Sequence, residues 1–120
     1  MLLWLFGPLI KSSTHMLNST TASGSLTLDN ADVNWFLSID GSIVPVETDR
    51  RMHRSLVIDN KNFDFTMGFD NLHTESYDRI LNKGVGYKIN DVINSIQLVD
   101  KISRDTVIGP QPHGHILTRK

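Results

Sequence analysis

Gly68-Phe69-Asp70-Asn71-Leu72-His73-Thr74-Glu75-Ser76-Tyr77 is the stretch on which the fold turns. Before it, apolar residues recur with the period of strands; after it, they recur with the period of helices. Asp70 or Asn71 can cap a helix, and Glu75 falls in the first turns, where a negative charge suits the dipole. Leu72, Ser76, Tyr77, Ile80 and Leu81 then share one face, and Lys83-Gly84 is a C-terminal stop. The stretch therefore predicts the start of the first of two C-terminal helices in an α+β chain.

Toward the N-terminus the strand signals are of two grades. Ala22, Gly24, Leu26 and Leu28 alternate with Ser23, Ser25 and Thr27. After Asp29-Asn30, the residues Ala31, Val33, Trp35, Leu37 and Ile39 alternate with Asp32, Asn34, Phe36 and Ser38. This is the clearest hairpin of the chain. Leu9 to Asn18 reads as a further strand with loose alternation, followed by the polar turn Ser19-Thr20-Thr21. Met52 to Ile58 and Asn62 to Thr66 form a second hairpin around Asp59-Asn60-Lys61, and Ile43 to Arg51, with Pro45, reads as a loop. Met1 to Phe6 is apolar on every side and stops at Gly7-Pro8, like the last turns of a helix.

Toward the C-terminus, Ile89, Val92, Ile93, Ile96, Val99 and Ile102 keep helical spacing. Burying each such side chain contributes about 1.5–3 kcal/mol, so this helix is expected to lie on the sheet. Beyond Arg104 the period is lost, apart from a short strand signal at Thr106 to Ile108. The expected architecture is one open, mainly antiparallel five-stranded sheet with helices on one face. The other face, carrying either the Ala22/Trp35 set or the Phe36 set, is then a candidate homo-oligomer interface.

A chain of 120 residues fits one domain. Its net charge of -1 gives no global attraction for nucleic acid or an anionic membrane. The nearest basic run, Arg50-Arg51 with His53 and Arg54, is short. There are no cysteines, which excludes disulfides, thiolate metal sites and thiol nucleophiles. The apolar N-terminus lacks a basic region and is too short for a secretory signal or for a membrane span of roughly 20 residues. A cytoplasmic location is expected.

Several polar groupings invite a chemical reading. Gly84-Val85-Gly86 sits between helices and reads as a cap and turn rather than a phosphate loop. His113-Gly114-His115 lacks a third ligand at a supporting spacing, so no metal site is expected. Ser12, Ser13 and His15 lie on a strand without the setting of a nucleophile elbow. His73, Thr74, Ser76 and Tyr77 stand where backbone N–H groups and the dipole favour an anion, beside the plainer reading of capping. Arg54 could meet a phosphate or a carboxylate, beside the plainer reading of a solvated loop edge.

Four strings together resemble a known family: Leu2-Leu3-Trp4-Leu5-Phe6-Gly7, Val33-Asn34-Trp35-Phe36-Leu37-Ser38-Ile39-Asp40, Gly68 to Tyr77, and Ile89-Asn90-Asp91-Val92 with Ser95-Ile96-Gln97-Leu98-Val99. In order and spacing they are similar to the C-terminal domain of the glucose–fructose oxidoreductase / inositol dehydrogenase (Gfo/Idh/MocA) family. The nearest branch is the UDP-N-acetyl-2-amino-2-deoxy-D-glucuronate dehydrogenases of lipopolysaccharide O-antigen sugar synthesis. The resemblance implies an open-sheet domain that builds the substrate pocket and the oligomer interface, beside an N-terminal Rossmann domain that binds NAD. The family's catalytic Lys and its Asp/His pair would fall before Met1. The expectation is therefore a truncated or isolated C-terminal domain, with no catalytic residue, no cofactor and no metal of its own. It would carry His73, Thr74, Tyr77 and Arg54 on the sugar side and hold a nucleotide sugar weakly. Its loop from Asp40 to Arg54 departs from the branch's pattern, which leaves the substrate open. The alternative expectation is an autonomous interaction module that self-associates through its open sheet face.

Overall fold

The computed structural model describes residues 1–44, 52–67 and 71–118. It is α+β with antiparallel sheets, as the sequence predicts. The chain forms two compact units, Met1–Asp40 with Ile89–Lys120, and Gly41–Lys88.

The first unit begins with helix α1 (Leu2–Phe6), stopped by Gly7 at φ 90°, a conformation that suits glycine. Its end is tied to the next turn but one: Asn30 N–H donates to the Phe6 carbonyl at 2.9 Å, and Asp29 N–H to the Pro8 carbonyl at 3.1 Å. Strands β1 (Leu9–Leu17), β2 (Thr21–Leu28) and β3 (Ala31–Ser38) follow as an antiparallel meander in the order β1-β2-β3. The β2–β3 register runs unbroken from Thr21↔Ser38 to Leu28↔Ala31, as the alternation of both strands requires. β1 is irregular, with register shifts between Leu9 and Lys11 and between Thr14 and Met16. Ile10 and His15 are thus the extra residues of two bulges, which is why alternation along this strand is loose.

One face of this sheet carries Ser12, Thr14, Gly24, Leu26, Leu28, Val33 and Trp35, as the pairing dictates. Helix α3 (Ile89–Arg104) lies against β1 on that side, with Ser12 Oγ donating to Asp105 Oδ2 at 3.4 Å just beyond its end. Leu26 and Leu28 are the buried apolar centre. Thr14 and Ser23 are buried as well, and among the described residues their hydroxyls lack a hydrogen-bond partner. Such a group costs about 1–3 kcal/mol. Past α3 the chain returns to β1: Ile108 N–H donates to the Thr14 carbonyl at 3.0 Å, and Val107 bridges Thr14 in parallel. This is the short strand signal of Thr106 to Ile108.

The second unit holds β4 (Ser55–Ile58) and β5 (Lys61–Asp64), a hairpin that forms its own two-stranded sheet. Asp59 and Asn60 adopt φ 49° and 63°, the left-handed conformations of a tight two-residue hairpin turn. Helix α2 (Leu72–Lys83) follows. Its carboxyl end is closed by Gly84 at φ 62°, whose N–H donates to the Ile80 carbonyl at 3.2 Å.

Two expectations are corrected. The five strands do not make one sheet: they divide into three and two. β5 is exposed at all four positions, so its residues have no apolar alternation to lay on a shared core. Nor is the apolar stripe of α3 sunk in the sheet. Leu98 and Ile102 are half-buried, whereas Ile96 is 55% and Val99 67% exposed. The helix leans on β1 by an edge of its stripe, and the full burial energy read from its spacing is not realised within the chain.

Candidate functional site

His73, Thr74 and Tyr77 occupy the first turns of α2, with His73 and Tyr77 one turn apart on a common face. All three are exposed, Tyr77 to 64%, and Ser76 between them is half-buried. Their side chains form no hydrogen bond among the described residues, which leaves imidazole, hydroxyl and phenol groups open to a ligand. Asn71 is the N-cap, though it makes no side-chain capping bond; its carbonyl accepts the Glu75 N–H at 2.9 Å. Asp70, the alternative cap, lies outside the described residues, as do Gly68 and Phe69. Among the described residues no side chain caps the first-turn N–H groups, and such donors suit another acceptor.

Arg54 stands just before β4, half-buried. Its backbone is clamped on both sides by Thr66, whose hydroxyl accepts the Arg54 N–H at 2.9 Å and donates to the Arg54 carbonyl at 3.4 Å. The Phe65 N–H also donates to that carbonyl, at 3.0 Å. The structure thus places the four residues expected on the sugar side in one unit, three in the first turns of α2 and one at the foot of a hairpin. Arg50 and Arg51 lie outside the described residues.

A second polar cluster, in the first unit, escaped the sequence reading. The bulge at His15 turns that ring onto the sheet face opposite α3, where it is 4% exposed. Its Nε2 lies 3.3 Å from Ser25 Oγ, while Nδ1 is buried without a partner. A serine–histidine contact suggests nucleophilic catalysis only when a third group orients the imidazole and substrate can reach the oxygen. Among the described residues Nδ1 has no such group and the ring is enclosed, which favours a structural pair. A bulge could not be read from the sequence, because loose alternation alone does not say which residue is extra.

The His113-Gly114-His115 string is likewise structural in part: the His115 ring stacks on Phe36 at 5.3 Å, and its Nδ1 accepts the Leu117 N–H at 3.3 Å. Among the described residues no group of three or more His, Asp or Glu could hold a metal ion. Between α1 and α3 a cleft of about 460 Å³ is lined by Leu3, Pro8, Asn94, Gln97 and Lys101, among others. Lys101 there is paired with Asp105 at 2.9 Å. No described helix is long and apolar enough to cross a membrane.

No protein-family profile matches the chain. Solved structures do. The WlbA (WbpB) dehydrogenase from Thermus thermophilus, solved in complex with NAD and UDP-GlcNAcA, superposes with a TM-score of 0.84 at 32% sequence identity, over 95% of this chain. The same enzyme, solved in complex with NAD and alpha-ketoglutarate, gives 0.84 and 33% over 98% of this chain. The chain spans only 37% and 38% of the length of those proteins. Fold and sequence agree with the four strings: over nearly its whole length the chain is similar to a part of the WlbA (WbpB) dehydrogenase, consistent with a C-terminal domain.

Proposed function

We propose that this chain is the substrate-side domain of an NAD-dependent nucleotide-sugar oxidoreductase, of the kind that serves lipopolysaccharide O-antigen synthesis in the cytoplasm. The observation that carries this is the match itself, 32% identity and a TM-score of 0.84 across 95% of the chain, to a dehydrogenase solved with NAD and UDP-GlcNAcA. His73, Thr74 and Tyr77 supply donors and acceptors suited to sugar hydroxyls and an N-acetyl group, and Arg54 is a cation of the kind that meets a carboxylate or diphosphate. The helix start beneath them adds backbone N–H groups and the positive end of a dipole.

The 120 residues contain no dinucleotide fingerprint. Hydride transfer therefore needs an NAD-binding domain beyond them, and these residues alone hold substrate without oxidising it. The domain also self-associates through its three-stranded sheet. Titration of the chain with UDP-GlcNAcA, followed by NMR at His73 and Tyr77, tests the reading. Shifts confined to α2 and the Arg54 stem are expected; silence at millimolar ligand would sink it. NAD should leave the spectrum unchanged, and micromolar NAD binding would overturn the division of labour.

A further inference from the structure

The β4–β5 hairpin is closed by a turn at one end only. Asp59 and Asn60 make that turn, and the ladder runs from Ile58↔Lys61 to Ser55↔Asp64, four pairs in all. A two-stranded ladder of that length is marginal in water and frays from its open end. Arg54 is the first residue past the open end. It continues the half-buried face of Leu56 and Ile58, because successive side chains of a strand alternate. Where its guanidinium is found therefore depends on whether that end stays shut.

A side chain shuts it. Continued by one step, the register sets Arg54 opposite Phe65, and the Phe65 N–H donates to the Arg54 carbonyl at 3.0 Å as a ladder bond would. The Arg54 N–H, which a regular rung would direct to the Phe65 carbonyl, donates to Thr66 Oγ1 at 2.9 Å. The same hydroxyl donates to the Arg54 carbonyl at 3.4 Å, so one oxygen holds the backbone of Arg54 on both sides. A hydroxyl has one hydrogen to give and lone pairs to accept with, which this double role requires. Thr66 is itself anchored, since its N–H donates to Asp64 Oδ1 at 2.8 Å. That bond folds the chain back beyond β5 and keeps Thr66 within reach of Arg54.

We infer that Thr66 is a positioning residue for Arg54: its hydroxyl fixes the backbone root of the cation that meets the anionic part of a nucleotide sugar. This rests on the substrate-side reading of Arg54 given above. A long side chain on a fraying strand end must be ordered twice when a ligand arrives, once in its backbone and once in its rotamers, and both orderings weaken binding. The Thr66 hydroxyl settles the backbone share beforehand. Valine has the shape of threonine without the hydroxyl, and serine has the hydroxyl without the methyl group. The two substitutions therefore separate the hydrogen bond from the packing.

In the unaltered chain the Arg54 amide should exchange with solvent as slowly as the ladder amides of β4 and β5; exchange at the rate of an open amide would overturn the inference. Titration with UDP-GlcNAcA reads the consequence. Thr66→Val should weaken binding by about fivefold, and Thr66→Ser should stay within about twofold of the parent chain. In an Arg54→Ala background Thr66→Val should add nothing, because the cation it positions is gone. A loss that persists in that background would overturn the inference, as would equal losses for valine and serine. Chemical shifts of β4 and β5 check that each variant keeps its hairpin; where valine opens it, the serine variant and the amide exchange decide. Unchanged binding in Thr66→Val, beside a clear loss in Arg54→Ala, would refute the positioning and leave Arg54 on the substrate side. No binding by the parent chain, or no loss in Arg54→Ala, would refute the reading of Arg54 itself, and the inference with it.

Discussion

The Trp35 indole lies across Gly24: a Cβ added to that glycine would stand 2.7 Å from Trp35 Cζ2 and 2.2 Å from the Ser13 carbonyl oxygen. The central strand is thus approached by an aromatic ring from β3 and by the backbone of β1 at one point, and only a residue without a side chain fits. Gly24→Ala should destabilise the chain by about 2 kcal/mol or more, because neither neighbour is the free end of a flexible side chain. Urea unfolding measures this, and an unchanged midpoint would show that the ring does not rest there.

Ser23 carries the opposite expectation. Its hydroxyl is fully buried and has no partner among the described residues. Ser23→Ala removes the unsatisfied group at almost constant volume and should stabilise by about 1 kcal/mol. A loss of stability of similar size would mean that the hydroxyl is bonded after all.

The exposed face of α2 should separate binding from folding. His73→Ala and Tyr77→Ala should leave unfolding within about 0.5 kcal/mol of the parent, since both side chains stand in solvent. Each should weaken UDP-GlcNAcA binding by about fivefold to tenfold, the worth of a hydrogen bond. Calorimetry or NMR titration gives the constants; unaltered affinity in both variants would remove α2 from the sugar side.

Gly84 closes α2 in the left-handed conformation. Nothing crowds it, so Gly84→Ala tests backbone strain alone and should cost about 1 kcal/mol. Helicity loss confined to the end of α2 in carbon chemical shifts would locate the effect, and an unperturbed helix end would contradict it.

Ile96 tests how much α3 contributes. Within the chain it is more than half exposed, so Ile96→Ser should cost less than about 1 kcal/mol, well below the full burial of an isoleucine. Chemical denaturation at low protein concentration is the check. A loss of several kcal/mol would show that the stripe is packed.

What could be read from residues was what near neighbours encode. The alternation of Ala22 to Ile39, the turn at Asp29-Asn30, the stop at Lys83-Gly84 and the spacing of Ile89 to Ile102 all concern residues a few places apart, and each corresponds to an element of the structure. The strings around Trp4, Trp35 and Ile96 marked the dehydrogenase relationship. What could not be read was set by distant partners. His15 is buried with Gly114 of the distant C-terminal segment against its ring, and no local pattern announces that contact. The division into two sheets is of the same kind, since a hairpin does not state which strand it will join. The residues proposed for the sugar side were legible as chemistry but not as geometry: the types and helix position of His73, Thr74 and Tyr77 suggest a ligand, whereas Arg54 stands on a separate hairpin.

The bridge between Thr14 and Val107 has a consequence for how the chain is made. β1 is the outer strand of its sheet, and among the described residues the backbone that meets its far edge is that of Val107 and Ile108. During synthesis the β1–β2–β3 meander can form from contacts between adjacent segments, but its edge must wait until Val107 and Ile108 have been translated. Throughout that interval the β1 edge is a row of unpaired amides and carbonyls open to any strand that passes. The two bulges, by bending that edge out of line, are placed where they make a nascent chain a poor template for its neighbours.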